Sequence, residues 1–398
     1  MVLRLKNQLK AYDWGDRVAI PRFLGLKPSD GPVAEMWMGA HPAGSSVVET
    51  AGGREVPLVE LIAAQPAETL GRMSGSAVHE LPFLFKLLAA ERALSIQVHP
   101  SREQAAVGYA WENSRGIALD ARERTYKDSN HKPELILAAG PFWAMSGFRD
   151  PYDSLPLIRA AGITAADTRG VLREVLAMSS AEVTAAHSRL SLPPVDPEEL
   201  YRDHGELTDE IRLAWVRELQ QQYGPDPGTL APLFLNIVRL DTGEALFQGA
   251  GLVHAYLRGF GFEVMANCDN VLRAGLTSKY MNVNELLDIV NFDSAPPARV
   301  VPRETGPGVE EYVCPVPDFR LLQARVAEGP REITTGGCPA IVLCVEGSVT
   351  AGGAEALTLK RGESAFIGGA HEGFTLAPAS SGTPARALVA TCSAPSFP

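Results

Sequence analysis

In the stretch SIQVHP, a neutral amide, Gln97, and an imidazole, His99, stand two residues apart on what reads as a β-strand. Side chains alternate across a strand, so Leu94, Ile96 and Val98 take one face and Ser95, Gln97 and His99 the other. A polar face of this kind is either hydrogen-bonded to a neighbouring loop or turned toward a ligand. A metal ion is one ligand this pair could share, given a carboxylate and a second imidazole from other strands. Two later stretches contain those groups. In YKDSNHKPELILA, Pro133 fixes its own torsion and biases Lys132 to an extended form, so Lys132 and Glu134 share a face where an apolar strand begins. In GAGLVHAYLRG, a glycine-rich turn leads into a strand on which His254 and Tyr256 share a face. Read singly, Glu134 is a solvated strand-entrance carboxylate and His254 an ordinary core histidine.

The motifs IQVHP, YKDSNHKPE, GLVHAYLRG and NVLRAGLTSKYMNV together resemble the type I phosphomannose isomerases. YDWGD, AEMWMGAHPAG and the SGFR that follows Phe142 fit as well, and the order is the same along most of the chain. The likeness is weakest in the helical middle segment and the last hundred residues. It implies one Zn²⁺ held by Gln97, His99, Glu134 and His254, and interconversion of mannose 6-phosphate and fructose 6-phosphate through an enediol. It also implies Ser95, Lys86, Lys132, Tyr256, Glu263 and Arg273 as site residues, in carbohydrate metabolism leading to GDP-mannose. Asp16 stands where a small residue is common, Ser146 where cysteine is frequent, and Ser278 where proline is common.

Two imidazoles, one carboxylate and a neutral amide suit Zn²⁺ and leave it a net positive charge and an open position. Moving a proton between adjacent carbons needs a base, stabilisation of a developing oxyanion and an anchor for the phosphate. Arg273, always protonated, suits the enediolate or the phosphate, and is expected on a polar loop after FEVMANC. Lys132 and Glu263 are the candidate proton carriers, with Ser95, Lys86 and Tyr256 as substrate contacts. Lys86, within LPFLFKLLAA, is either a snorkelling surface lysine or is buried against an anion such as phosphate. Two other readings stay open: a metal-dependent cupin oxygenase, which Gln97 as a fourth ligand disfavours, and a non-catalytic sugar-phosphate-binding cupin.

The elements that must hold these residues are mostly strands. Glycine (37) and proline (30) are spread along the 398 residues, punctuating short runs such as LFKLL, PELILA, EALFQGAGLVHAYL, FEVMANC and AIVLCVEGSVTAGG. GVLREVLAM and DEIRLAWVRELQQQYGPDPG instead carry a helical period, with Ile211, Trp215, Leu219 and Tyr223 on one face and a stop at Gly224. The expected fold is mainly β. It comprises a cupin-like jelly-roll catalytic domain (1–149 and 232–295), an inserted α-helical domain (150–231) and a second, C-terminal jelly roll (296–398), the jelly rolls resting on the resemblance. His371 is expected to be structural. Five cysteines without CxxC spacing give no thiolate zinc site or disulfide framework. A net charge of −11 argues against nucleic acid and requires any anion site to gather its own cations. No segment is long and apolar enough to span a bilayer, and no secretory signal is visible. A cytoplasmic monomer or weak homo-oligomer is expected.

Overall fold

The computed structural model describes residues 1–50, 52–75, 80–326, 329–353, 355–380 and 382–393. Its strands pair antiparallel, apart from one isolated parallel bridge, and form sheets of eleven, nine and four strands among the described residues. The fold is therefore mainly β with added helices.

The eleven-stranded sheet is organised by one strand, His254–Ala266. Its C-terminal half pairs with Phe83–Ala90 on one side and Glu134–Ala138 on the other. Its N-terminal half pairs with Phe142–Phe148 and with the short strand Gln97–Val98. One strand thus belongs to two layers, and the sheet bends between them. Two features let it do so. The register slips between Tyr256 and Arg258, and Gly259, at φ +142°, lies where a Cβ would come within 2.6 Å of Phe142. The glycines at 259 and 261 make the sequence read as two strands, GLVHAYL and FEVMANC, where the chain forms one.

That slip decides what faces the site. His254 and Tyr256 differ from Glu263 in parity, so strict alternation would put them on opposite faces. The bulge reverses the phase, and all three line the same cavity.

The middle segment is helical, with Pro151–Ala160, Thr168–Leu176, Ser180–Arg189, Pro197–His204 and Asp209–Tyr223 in succession. The last is capped by the Thr208 hydroxyl, which accepts from the Ile211 amide, and it ends at Gly224 with φ +64°. Its buried face packs Trp215 against Trp143 of the sheet, ring centroids 5.5 Å apart, in one core with Leu219 and Ile211. Asp226, just past the helix, accepts from the amides of Gly228 (2.7 Å) and Leu276 (2.8 Å). Leu276 has φ +53°, alone among the described non-glycine residues in having a positive φ. This strained turn fastens the loop before Lys279 to the helical segment.

The nine-stranded sheet holds most C-terminal strands, including Arg320–Arg325, Ala340–Glu346 and Arg386–Thr391. The strand Val2–Lys6 is also in it, paired with Ser364–Ile367. Asp16, a departure from the usual motif, accepts from the amides of Val18 (2.5 Å) and Ala19 (2.6 Å) at the start of the short helix Ala19–Phe23.

Candidate metal centre and substrate cavity

His99, Glu134 and His254 are buried together, one ligand atom of each lying within 4.8 Å of the others. His99 Nδ1 is 2.8 Å from the carbonyl oxygen of Asn270, and His254 Nδ1 is 2.8 Å from that of Leu252. A carbonyl only accepts, so each Nδ1 carries the proton and each Nε2 presents a lone pair. Those Nε2 atoms lie 3.4 and 3.5 Å from the two oxygens of Glu134. Donors bound at roughly 2.0–2.2 Å around a tetrahedral ion stand roughly 3.3–3.6 Å apart. Both imidazole-to-carboxylate spacings match that separation, so the three side chains suit a Zn²⁺-sized cation. Among the described residues His99 Nε2 is buried without a hydrogen-bond partner, a cost that a cation in this position removes.

Gln97 adjoins this cluster, opposite His254 on one side and Arg273 on the other. Its amide nitrogen donates to Ser95 Oγ at 3.2 Å, which leaves the amide oxygen as an acceptor for a cation. The strand here is only Gln97–Val98, shorter than SIQVHP suggested. Ser95 and His99 flank it, and the preceding backbone is held by bonds from Leu94 N to Tyr256 O and from Ile96 N to Gly275 O. Arg273 is likewise on a short strand, Leu272–Arg273, and not on the loop expected for it. Pairing with Gln97–Val98 draws it into the sheet.

The cavity over the cluster encloses about 680 Å³. Burial, then the Lys132 ammonium, push the His99 imidazole down to about 4. Burial alone would raise the Glu134 carboxyl, but Lys132 at 2.9 Å and the two imidazoles outweigh it and hold it well below the usual range. Both shifts favour the deprotonated forms of His99 and Glu134 that metal binding requires.

Lys86 lies 2.9 Å from Glu263 and 3.4 Å from Glu35, and Glu35 also accepts from the Trp37 indole at 2.7 Å. Lys86 is thus neither a snorkelling surface lysine nor a cation kept free for phosphate, because the protein itself supplies its anions. Burial would lower its ammonium, yet Glu263 and Glu35 raise it. Burial raises Glu263 and, despite Lys86, Glu134 and Glu35 add to the effect. The Tyr256 hydroxyl is buried with no hydrogen-bond partner among the described residues and is raised by burial, then by Glu263 and Glu134. Three carboxylates thus face two ammonium groups on this buried floor, which is net negative until a divalent cation reverses its sign.

The chain matches the family model "Phosphomannose isomerase type I, catalytic domain" over residues 2–151. It is 39% identical over 373 residues to the mannose-6-phosphate isomerase of Escherichia coli (strain K12), covering 92% of this chain and 94% of that protein. The chain belongs to the type I phosphomannose isomerase family. The Bos taurus mannose-6-phosphate isomerase is 32% identical over 412 residues, covering 94% and 95% of the two chains. The Salmonella typhimurium mannose 6-phosphate isomerase, solved bound to its substrate and a zinc atom, superposes with a TM-score of 0.85 at 34% identity, over 98% of this chain and 99% of that one. A zinc-bound mannose 6-phosphate isomerase gives 0.85 at 35% identity, with the same coverage.

In this member of the phosphomannose isomerase family, all ten residues singled out from the sequence lie in or beside one cavity; His99, not on the lining surface itself, reaches it through the ligand cluster. Others were missed. Glu35 and Trp37 sit in AEMWMG and reach the site only because Glu35–Met38 pairs with the Lys86 strand. His41 and Asp269 form a pair at 3.3 Å on the cavity wall, joining segments far apart in sequence. Lys279 lies in the TSKY motif and lines both this cavity and a second one of about 460 Å³ that opens beside it. The outer cavity is walled by Arg122, Lys127, Arg273 and Lys279. Lys279 is lowered chiefly by Arg273, then by burial and Lys127, as expected of cations gathered without enough anions. Ser146 lies in register with His254 and bonds Gln248 at 2.9 Å, so this departure from the family pattern sits one strand away from a ligand.

Proposed function

We propose that this protein interconverts mannose 6-phosphate and fructose 6-phosphate, with one Zn²⁺ held by Gln97, His99, Glu134 and His254. The observation that carries the reading is the pair of Nε2 lone pairs converging on Glu134 at 3.4 and 3.5 Å. Zinc at this position supplies a Lewis acid for the oxygens of the open-chain sugar.

The remaining chemistry belongs to the side chains. Glu263, raised by burial, takes the C2 proton and returns it at C1. Lys132, ion-paired to Glu134, passes a proton to O1 as the enediol forms and takes one from O2 as it collapses, which balances the oxygens. Arg273 stabilises the enediolate, and Ser95, Tyr256 and Lys86 orient the chain of hydroxyls. The phosphate extends toward Lys279 and Lys127, where the second cavity concentrates positive charge against the protein's overall −11. Substrate affinity should therefore fall with ionic strength.

The same reading carries a division of the chain. In it residues 1–149 and 232–295 make up a cupin-like jelly roll, 150–231 a helical insert, and 296–398 a second jelly roll whose last five residues lie outside the described ones; the strands Val2–Lys6, Val47–Glu49 and Glu55–Pro57 cross this division into the nine-stranded sheet. Sequence and fold together suit a cytoplasmic monomer or weak homo-oligomer; no helix among the described residues is long and apolar enough to cross a membrane. The test is metal analysis of purified protein with a coupled mannose 6-phosphate assay. One zinc per chain and turnover that a chelator abolishes are expected. Oxygen uptake with ferrous iron, without isomerisation, would refute the reading.

A further inference from the structure

Asp318 lies far from the cavity in sequence, in the connection between the strands Val309–Tyr312 and Arg320–Arg325 of the nine-stranded sheet. It is 7% exposed, and the Ser393 amide bonds the neighbouring Pro317 carbonyl at 3.0 Å. One of its oxygens accepts from Arg102 at 2.7 Å, and the other lies 2.8 Å from His131 Nε2. Arg102 and His131 also lie 2.8 Å apart. One ring nitrogen cannot serve both neighbours through a single tautomer. Protonated, Nε2 donates to Asp318; unprotonated, it accepts from Arg102. Either form leaves the three side chains joined.

The two partners are placed tellingly. Arg102 comes three residues after His99, at the first turn of the helix Arg102–Ser114. His131 comes three residues before Glu134 and immediately before Lys132. The intervening Pro100 and Pro133 each fix a backbone torsion, so displacement at either partner passes to the ligand with little local give. Asn270, in the connection between the strands His254–Ala266 and Leu272–Arg273, already ties the same two segments. Its carbonyl faces His99 Nδ1, its side-chain oxygen accepts from the Lys127 amide at 2.7 Å, and its amide group donates to the carbonyls of Asp128 and Asn130 at 2.8 Å.

We propose that Asp318 is a positioning residue for the metal centre: a carboxylate from the C-terminal part of the chain that clasps the His99 and Glu134 segments together from outside. The proposal rests on the zinc reading above and assigns the nine-stranded sheet a part in the site. Burial would raise the Asp318 carboxyl, but His131 and Arg102 hold it below the usual range, so it remains an anion in this place.

The test uses the full chain and two readouts: zinc affinity by competition with a chelator, and steady-state kinetics of the zinc-loaded enzyme. Removing groups that orient metal ligands typically costs about 10- to 100-fold in affinity or activity. Because Asp318 acts through two intermediates, Asp318→Asn should weaken zinc binding about 10-fold and lower kcat about 5- to 10-fold, with KM within about twofold of wild type. Asp318→Glu, which keeps the charge, should recover most of both. If Asp318→Asn does not fold, Arg102→Gln and His131→Gln approach the clasp from its other side and should each weaken zinc binding by about 3-fold or more. Wild-type zinc affinity and kcat in Asp318→Asn, or in both partner variants, would overturn the proposal, as would failure of Asp318→Glu to improve on Asn. If wild-type protein neither binds zinc nor turns over, it is the isomerase reading that fails.

Discussion

Replacing Glu263 by Gln removes the nearer of the two carboxylates that face Lys86, at 2.9 Å against 3.4 Å for Glu35. Lys86 is 6% exposed, so water does not replace what is lost. At an effective dielectric constant of about 20, the attraction across 2.9 Å is about 6 kcal/mol. Part of this returns, because a buried glutamine costs less to desolvate than a buried carboxylate. Breaking a buried pair by neutralising one partner costs about 3–5 kcal/mol. Glu35 remains, which places Glu263→Gln at the lower end, about 3 kcal/mol. Bound zinc would add its own stabilisation by mass action, so the comparison belongs to chelator-stripped protein unfolded in urea. A lower midpoint at constant slope is expected. An unfolding free energy within about 0.5 kcal/mol of wild type, the range of ordinary surface substitutions, would refute the account of Lys86 as a buried ammonium held by carboxylates.

His99→Ala and His254→Ala should each lose bound zinc and turnover while the nine-stranded sheet stays folded; stoichiometric zinc in the double variant would remove the metal centre. The His99 imidazole is pushed from its ordinary 6.5 down to about 4, so between those values the unfolded chain binds more protons than the folded one. Stability of the zinc-free protein should then fall as pH drops from about 6.5 toward 4, by at most about 1.4 kcal/mol per pH unit from this group, and His99→Gln should flatten the profile. Equal slopes in the two proteins would exclude His99 as the source. Arg273→Lys should keep the metal and substrate affinity but lose about 100- to 1000-fold in kcat, because the planar fork that stabilises the enediolate is gone. Lys279→Gln should instead raise KM about 10-fold with kcat nearly unchanged, as for a group that holds the phosphate in ground and transition states alike. An unchanged kcat in the first variant, or an unchanged KM in the second, would reassign that residue.

What the sequence made legible was local. Gln97 and His99 are two apart, Lys132 and Glu134 two apart, and His254 and Tyr256 two apart, so strand alternation alone groups each pair. The helix Asp209–Tyr223 is visible because four apolar residues repeat at its period and Gly224 marks its end. What stayed hidden depends on pairing between distant segments. Glu35 meets Lys86 only through strand register, and His41 meets Asp269 across 228 positions of chain. Glu263 reached the cavity through a bulge whose phase change no alternation rule foresees. The resemblance supplied Glu263 and Arg273; the sequence assigned no face to the first and put the second on a loop, where the chain forms a short strand.

The strand Val2–Lys6 has a consequence for the timing of folding. It pairs with Ser364–Ile367, a partner about 360 residues away. At roughly 5–20 residues per second, a ribosome needs roughly 20–70 s to deliver that partner. Throughout this interval the strand has Val47–Glu49 on one edge, through Leu5 and Lys6, while its other edge waits for Ser364–Ile367. The site's own strands, from Phe83 to Ala266, emerge before the C-terminal partner does. The interval is therefore one in which the metal-binding half can already be organised while one edge of its first strand stays open to chaperones or to a second nascent chain.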